Sequence, residues 1–348
     1  MKSQSSEEFC RSDVVVPNGT AEARSLASVI IPAYNAARFI EQTLDSVLAQ
    51  CAVQRNQRIE IIVVDDGSTD DTLARVRAYG DRVRCISQHN SGGAAAPRNR
   101  ALELATGEFV FFFDADDVMH EGKIRAALEV FAAEPAVGLV FTNFASIDDS
   151  GRTLRPQFLS SYPTIAELER NPAPYYLLPS KDAHARLLGE NFIGTSGVAV
   201  RRSVMREIGA FNLDYYCGED WDMWLRISRK HAIAYLPRVL HAYRRHDNNI
   251  TASDSMHTIP SQIAMLSGQL RLTEDPQQRD RLARIIAGNE FSLAYAYYRN
   301  GRNAEARASL SRAKGAVPAW KILWMHCKTL LGVQTTTRIK RLLGLRRS

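Results

Sequence analysis

The stretch that most constrains this chain is Phe109-Val-Phe-Phe-Phe113, which runs without a break into Asp114-Ala-Asp-Asp117. A strand made of consecutive apolar residues has no polar face. It must be covered on both sides, as strands are in a parallel sheet between helical layers. The same grammar recurs upstream. Ser28-Val-Ile-Ile-Pro-Ala-Tyr34 leads into Asn35, and Glu60-Ile-Ile-Val-Val64 leads into Asp65 and Asp66. Helical spacing of Ile40, Leu44, Val47, Leu48 and Cys51 separates these two strands, and a Gly/Ala-rich helix is predicted from about Gly93 to Ala105. Val83–Ser87 and Val137–Thr142 read as further strands. The expected fold class is α/β, a mostly parallel central sheet with helices on both faces. Ligands of such sheets bind beyond the carboxyl ends of the strands, where these polar clusters fall.

Residues 145–190 carry Pro156, Pro163, Pro172, Pro174 and Pro179 without any period, and read as a long, partly irregular insertion, a lid or an acceptor-facing region. Mixed structure returns over 191–250, with a strand near Gly197–Val200, a helix over Trp221–Lys230 and a strand over Ala232–Leu236. Beyond about residue 256 only helical spacing remains. Leu293 to Pro318 is spaced like a single tetratricopeptide-type hairpin, but one repeat cannot bury its own face, so a helical extension packed on the preceding domain is the preferred reading. The expected division is a loose polar leader (1–26), an α/β domain with a nucleotide-binding half (27–145) and an acceptor half (146–250), and a basic helical extension (251–348). Five dispersed cysteines without metal-ligand spacing argue for a reducing compartment, and no run approaches the ~18 apolar residues of a spanning helix. The expectation is therefore a cytoplasmic protein.

The carboxylates at Asp114 and Asp116 are two residues apart. In extended chain they point the same way and can address one hard divalent cation, Mn²⁺ or Mg²⁺. The competing reading is a solvated turn that caps a helix beginning near Glu121.

Taken in order, Ser28-Val-Ile-Ile-Pro-Ala-Tyr-Asn35, Val63-Val-Asp-Asp-Gly-Ser-Thr-Asp70, Gly107-Glu-Phe through Asp114-Ala-Asp-Asp117, and Gly218-Glu-Asp220 resemble the family 2 glycosyltransferases of the GT-A fold. The resemblance spans roughly residues 28–250. It implies a metal-dependent enzyme that moves one sugar, with inversion, from a nucleotide-diphosphate sugar to an acceptor hydroxyl. It places Pro32, Ala33, Tyr34 and Asn35 around the nucleotide, with Asp66 or its neighbour Asp65 accepting a hydrogen bond from the base; a uracil NH, and so a UDP-sugar, suits that acceptor. Capping of the next helix is the other role open to Asp65. Asn90, Gly93 and Arg98 fall where the family approaches the diphosphate, although Arg98 reads equally as a surface arginine. Asp114, Ala115 and Asp116 fall on the metal and donor-binding motif, with Asp116 coordinating directly, and His246 in Tyr243-Arg-Arg-His246 falls where a histidine can approach the metal. Arg244 and Arg245 read equally as phosphate or solvent contacts. Asp220 falls on the catalytic base, with Glu219 as fallback. At the first turn of a helix a carboxylate stays ionised, as a base must.

The Gln-x-x-Arg-Trp signature of the family's processive synthases is absent, so the resemblance points to single-sugar transfer onto a glycan or lipid-linked acceptor, as in cell-surface polysaccharide or glycolipid assembly. A non-catalytic protein that binds a nucleotide sugar, or a partner through its helical C-terminus, is the competing class. A nucleotidyltransferase would carry a Gly-rich phosphate loop where this chain reads Pro-Ala-Tyr-Asn. Nucleic-acid binding is not expected, because the sheet region has no basic stripe with aromatic platforms.

The formal charge of +6 is concentrated at one end. Residues 311–348 hold nine Lys and Arg and no acidic residue, so residues 1–310 carry 35 basic against 38 acidic side chains. Ile322, Leu323, Trp324, Leu330 and Leu331 interleave with those charges. That pattern fits an interfacial helix on anionic lipid, or a solvated basic helix end.

Overall fold

The computed structural model describes residues 26–342 apart from 54–57, 171, 248, 250–254 and 316; the predicted leader lies outside the described residues except for Leu26, which already belongs to the first strand. The chain divides into two units. The first takes residues through His184, Asn191–Leu213 and Met223–His246, and the second takes Ala185–Glu190, Asp214–Asp222 and the chain from Asp247 onward.

The first unit is built on one ten-stranded sheet. Its strands are β1 (Leu26–Ala33), β2 (Arg58–Asp65), β3 (Arg84–Ser87), β4 (Phe109–Phe112), β5 (Val118–Met119), β6 (Val137–Ile147), β7 (Thr153–Arg155), β8 (Tyr176–Leu178), β9 (Ala199–Arg201) and β10 (Ala232–Arg244). The main order is β3-β2-β1-β4-β9-β6-β10-β5, with β7 on β6 and β8 on β10. β1 to β4 pair in parallel, as their continuous apolar text predicts, and Val29, Ile30, Ile31, Phe111 and Phe112 are fully buried. The α/β expectation holds. The sheet is more mixed than the text suggests, because β9 is antiparallel to both β4 and β6.

The helices of this unit are α1 (Ile40–Val53), α2 (Thr72–Arg77), α3 (Ala95–Leu104), α4 (Lys123–Ala133), α5 (Pro163–Leu168), α6 (Ser180–Gly189), α7 (Arg202–Ile208) and α8 (Glu219–Ser228), the sixth and eighth of which cross the division between the units.

Two departures from the sequence expectation have clear causes. β6 runs on to Ile147 through Asn143 and Ser146, polar residues that are nonetheless buried. The stretch 145–190 is not irregular throughout. It contains β7, α5 with Pro163 in its first turn, β8 and α6, elements too short for a period and held by pairing at the sheet margin.

β10 is what assembles the site. Its register against β6 slips between Leu236 and Val239, around Pro237, whose missing N–H cannot join a regular ladder. Past that bulge, His241 and Ala242 pair antiparallel with Met119 and Val118 of β5. The end of β10 is thereby drawn alongside the turn that follows β4.

The second unit is helical beyond Asp247, with α9 (Ser255–Leu272), α10 (Pro276–Arg299), α11 (Asn303–Arg312) and α12 (Ala319–Leu342). Asp275 caps α10 by accepting from the Gln278 N–H at 2.8 Å, with proline in the first turn. Ala294 and Tyr298 of α10, Ala306 and Leu310 of α11, and Met325 of α12 form one core. Arg312 grips buried Glu290 through two hydrogen bonds, 2.6 and 3.0 Å. The hairpin legible from Leu293 onward is thus α10–α11, closed by α12.

Candidate active site

The loops after β1 and β2 are stitched together. Asn35 adopts a left-handed backbone (φ 49°), which asparagine tolerates better than most residues. Its side-chain oxygen accepts from the Thr69 N–H at 2.8 Å, and its own N–H donates to Ser68 Oγ at 2.9 Å. Asp70 accepts from the Ala37 and Thr72 N–H groups, which fixes the start of α2. The contact to the first N–H of α2 thus comes from Asp70 and not from Asp65, and the N-cap residue Asp71 makes no side-chain cap bond. Beside this clasp Pro32 is partly covered, Ala33 is buried, and Tyr34 stands half exposed.

Asp65 and Asp66 are both buried. Asp66 is held on both oxygens, by Gln88 Nε2 at 2.6 Å and by the Ser91 N–H and Oγ at 3.0 and 2.8 Å. Asp65 takes one long bond from Ser87 Oγ at 3.3 Å, and its Oδ1 is buried with no donor. The loop carrying Ser91 is closed by Asn90, whose side chain accepts from the Gly92 N–H at 2.9 Å, with Gly93 following. Gly67 is the residue that lets these loops meet. Its φ is +74°, and a Cβ there would lie 2.7 Å from the Asn90 backbone nitrogen.

Arg98 on α3 is not a surface residue. It is 4% exposed, donates to Asp114 Oδ1 at 2.8 Å and lies over the Phe211 ring. Asp114 in turn donates its N–H to Ser196 Oγ at 3.0 Å. The segment Asp114–Asp117 is a turn, closed by the Asp117 N–H on the Asp114 carbonyl at 3.4 Å, so the alternation expected of extended chain does not operate. Asp114 faces Arg98, whereas Asp116 meets His246, with Oδ2 and Nε2 2.9 Å apart and the His246 ring tilted against Phe39 at 5.0 Å.

Arg244 is not a solvent contact. It is 1% exposed, donates its N–H to Asp117 Oδ1 at 2.9 Å and its Nε to the Asp116 carbonyl at 2.8 Å, reaches Gln42, and lies over Phe39. It is a buried brace of the acidic turn.

Beneath the turn lies a polar layer that sequence reasoning missed. Asp117, Lys123, Ser196, Thr142 and His241 are all buried. Lys123 Nζ donates to the Ser196 carbonyl and lies 3.5 Å from His241 Nδ1, as does Thr142 Oγ1. Burial, reinforced by the charges of Asp116 and Asp114, holds Asp117 well above the carboxylate range. Burial also pulls Lys123 down to about 7 against the opposing attraction of Asp117, and keeps His241 well below its usual value. One signal was available: Lys123 opens α4, where a cation opposes the helix dipole.

Glu219 and Asp220 lie in the second unit, in the first turn of α8. Gly218 enters the helix at φ 91°, and Asp220 Oδ1 accepts from the Trp221 N–H at 2.6 Å. Within the same unit, Asp222 accepts from Gln269 Nε2 at 2.9 Å and Trp221 Nε1 donates to the Leu187 carbonyl at 2.7 Å. Further along α8, Trp224 packs against Phe112 and Phe211 in the first unit.

The donors at Asp116 and His246 fit a divalent cation. Two adjacent ligands at about 2.1 Å from an octahedral ion lie about 3.0 Å apart, close to the separation seen here. Among the described residues no three His, Cys, Asp or Glu side chains converge.

Residues 28–209 match the sequence profile described as Glycosyl transferase family 2. A Bacillus subtilis (strain 168) glycosyltransferase provisionally assigned to teichuronic acid biosynthesis is 30% identical over 66% of this chain and 83% of its own length. The chain spans only 39% of the length of a Rickettsia felis glycosyltransferase to which it is 28% identical over 72% of its own residues. Among solved structures, Staphylococcus aureus TarS (residues 1–349) with UDP-GlcNAc superposes with a TM-score of 0.57 at 20% identity, covering 86% of this chain and 83% of that one. The mannosyltransferase PcManGT of Pyrobaculum calidifontis, solved with GDP-Man and Mn²⁺, also gives 0.57 at 21% identity, covering 90% and 83%. These two share the fold.

Proposed function

The chain belongs to glycosyl transferase family 2 and is a glycosyltransferase, and from that premise we propose a metal-dependent, inverting enzyme that moves one sugar from a nucleotide-diphosphate sugar to an acceptor hydroxyl. The observation that carries this reading is the acidic turn at the end of β4, with Asp116 beside His246 and Asp114 on Arg98. Asp116 and His246 would hold Mn²⁺ or Mg²⁺, with Asp114 engaged by Arg98 rather than by the ion, and the cation would act as a Lewis acid on the diphosphate leaving group. The Mn²⁺ and GDP-Man of the mannosyltransferase and the UDP-GlcNAc of TarS support a cation and a nucleotide-sugar donor here.

The chain's own residues do the rest. Pro32, Ala33, Tyr34 and Asn35 line the base, and Asn90 and Gly93 approach the donor by backbone. Asp66, oriented by Gln88 and Ser91, and Asp65, with one buried oxygen lacking a donor, offer acceptors for a base NH, which favours UDP. Arg98 contributes positive charge behind Asp114. Asp220 takes the acceptor proton. As the hydroxyl oxygen bonds to the anomeric carbon from one face, the bond to the diphosphate oxygen breaks on the other, and the proton passes to the carboxylate. Its bond from the Trp221 N–H and its place in the first turn of α8 favour the ionised form; Glu219 is the alternative base. The partners this reading assigns are a glycan or lipid-linked acceptor at a membrane surface, in polysaccharide or glycolipid assembly on the cytoplasmic side.

Asp220→Asn tests the base. Donor binding by calorimetry should be unchanged and transfer should fall by at least about 10²-fold, the usual worth of a general base. Transfer near the wild-type rate would overturn the assignment.

A further inference from the structure

The last described helix is apolar on two opposite faces. One face of α12 is internal: Met325 is fully buried in the core it shares with α10 and α11, and Ile322 and Thr329 are almost as covered. The other carries Trp320, Leu323, Trp324, Leu330 and Leu331, which are 66, 65, 50, 75 and 50% exposed. At about 100° per residue these five fall within roughly a third of the helix circumference, a stripe about 17 Å long. Large apolar side chains so exposed and so aligned mark an interaction surface.

Charge decides what covers it. Lys321 lies over Trp320 and Lys328 over Trp324, so the rim of the stripe is cationic. Residues 311–348 contain nine basic residues and no acidic one. Among the described residues, Arg312 is committed to a buried carboxylate, that of Glu290. A second copy of the same surface would bring these charges against each other, whereas anionic lipid headgroups complement them. Tryptophan and lysine beside leucine suit the headgroup boundary, where an indole and a lysine stem can lie partly in the acyl region. Among the described residues no helix is long and apolar enough to cross a membrane.

We propose that α12 is a membrane-docking helix, lying in the plane of an anionic bilayer with the stripe from Trp320 to Leu331 inserted at the level of the headgroups and the Lys321–Lys328 rim on the lipid phosphates. The docking rests on α12 alone and stands apart from the transferase reading.

The experiment is vesicle flotation of the full chain with phosphatidylglycerol or phosphatidylcholine vesicles, read together with tryptophan emission. The chain has four tryptophans, and Trp221 and Trp224 are buried, so an emission shift on vesicle addition reports Trp320 and Trp324. Wild type should float with phosphatidylglycerol, lose most binding in high salt, and shift its emission to the blue. The triple variant L323S/L330S/L331S keeps both reporting tryptophans and alters only exposed positions. It should bind at least about tenfold more weakly, since each leucine loses its lipid contact. Lys321→Ala should lower binding about fivefold, the worth of one basic residue near an anionic surface. Absence of wild-type flotation, or equal flotation of the triple variant, would overturn the proposal. So would a concentration-dependent dimer, dispersed by the triple variant and unaffected by vesicles, because the stripe would then be a self-association surface.

Discussion

Replacing Lys123 by methionine isolates the electrostatics of the layer beneath the acidic turn. The side chain is 1% exposed, and its terminal nitrogen contacts the Ser196 carbonyl and His241 and lies over the Phe113 ring. Methionine keeps most of the stem and removes the titrating group. Lys123 is lowered from 10.5 to about 7 in the folded chain. Between those values the unfolded chain binds nearly one proton more than the folded one, so wild-type stability rises with pH across that interval. One proton changes stability by about 1.4 kcal/mol per pH unit, so the contribution grows by about 2 kcal/mol between pH 7.5 and 9. This window lies below the range in which Cys85 and Cys217, both pushed up to about 11, separate the two states strongly. Urea unfolding of wild type and Lys123→Met at the two pH values supplies the test. The difference in unfolding free energy should move by about 2 kcal/mol in favour of wild type as pH rises. A pH-independent difference would refute the reasoning, and would mean that Lys123 is charged throughout, held by Asp117.

Two further tests address the scaffold. Gly67→Ala places a Cβ against the Asn90 backbone at positive φ and should cost about 2 kcal/mol of stability, with weaker donor binding, read by thermal denaturation and calorimetry. His184 is held down to about 4, chiefly by burial and then by Arg229, and is hydrogen-bonded to Ser228. The unfolded chain therefore takes up a proton before the folded one, and stability should fall as pH drops from about 6.5 towards 4. Because the imidazole is partly exposed, the loss should be about 1–2 kcal/mol, and His184→Gln should remove it.

The strand grammar was legible because β1, β2 and β4 are buried on both faces and carry unbroken apolar text. The elements at the sheet margin were not, since β7 and β8 have three residues each and owe their existence to partners far along the chain. Of the candidate site, Asp114, Asp116 and His246 do fall in one unit, with Asp116 and His246 in contact. What could not be read was the pairing. Asp114 and Asp116 turn to different partners because a tight turn replaces extended chain. Arg98 and Arg244 are buried because Phe211 and Phe39 cover them, a fact that no local pattern encodes. The Lys123 layer depends on β10 slipping its register at Pro237, which brings His241 beside a helix start more than a hundred residues earlier. Charged residues buried through such long-range pairing look like surface residues in the text.

The central claim is turnover of a nucleotide sugar at the acidic turn. Nucleotide release from a panel of UDP- and GDP-sugars, measured with Mn²⁺ and again after chelation, tests it directly in wild type and in Asp116→Ala. Mn²⁺-dependent release from at least one donor by wild type, lost on chelation and in Asp116→Ala, is the predicted result. Equal release with and without the ion, or full activity of Asp116→Ala, would contradict it.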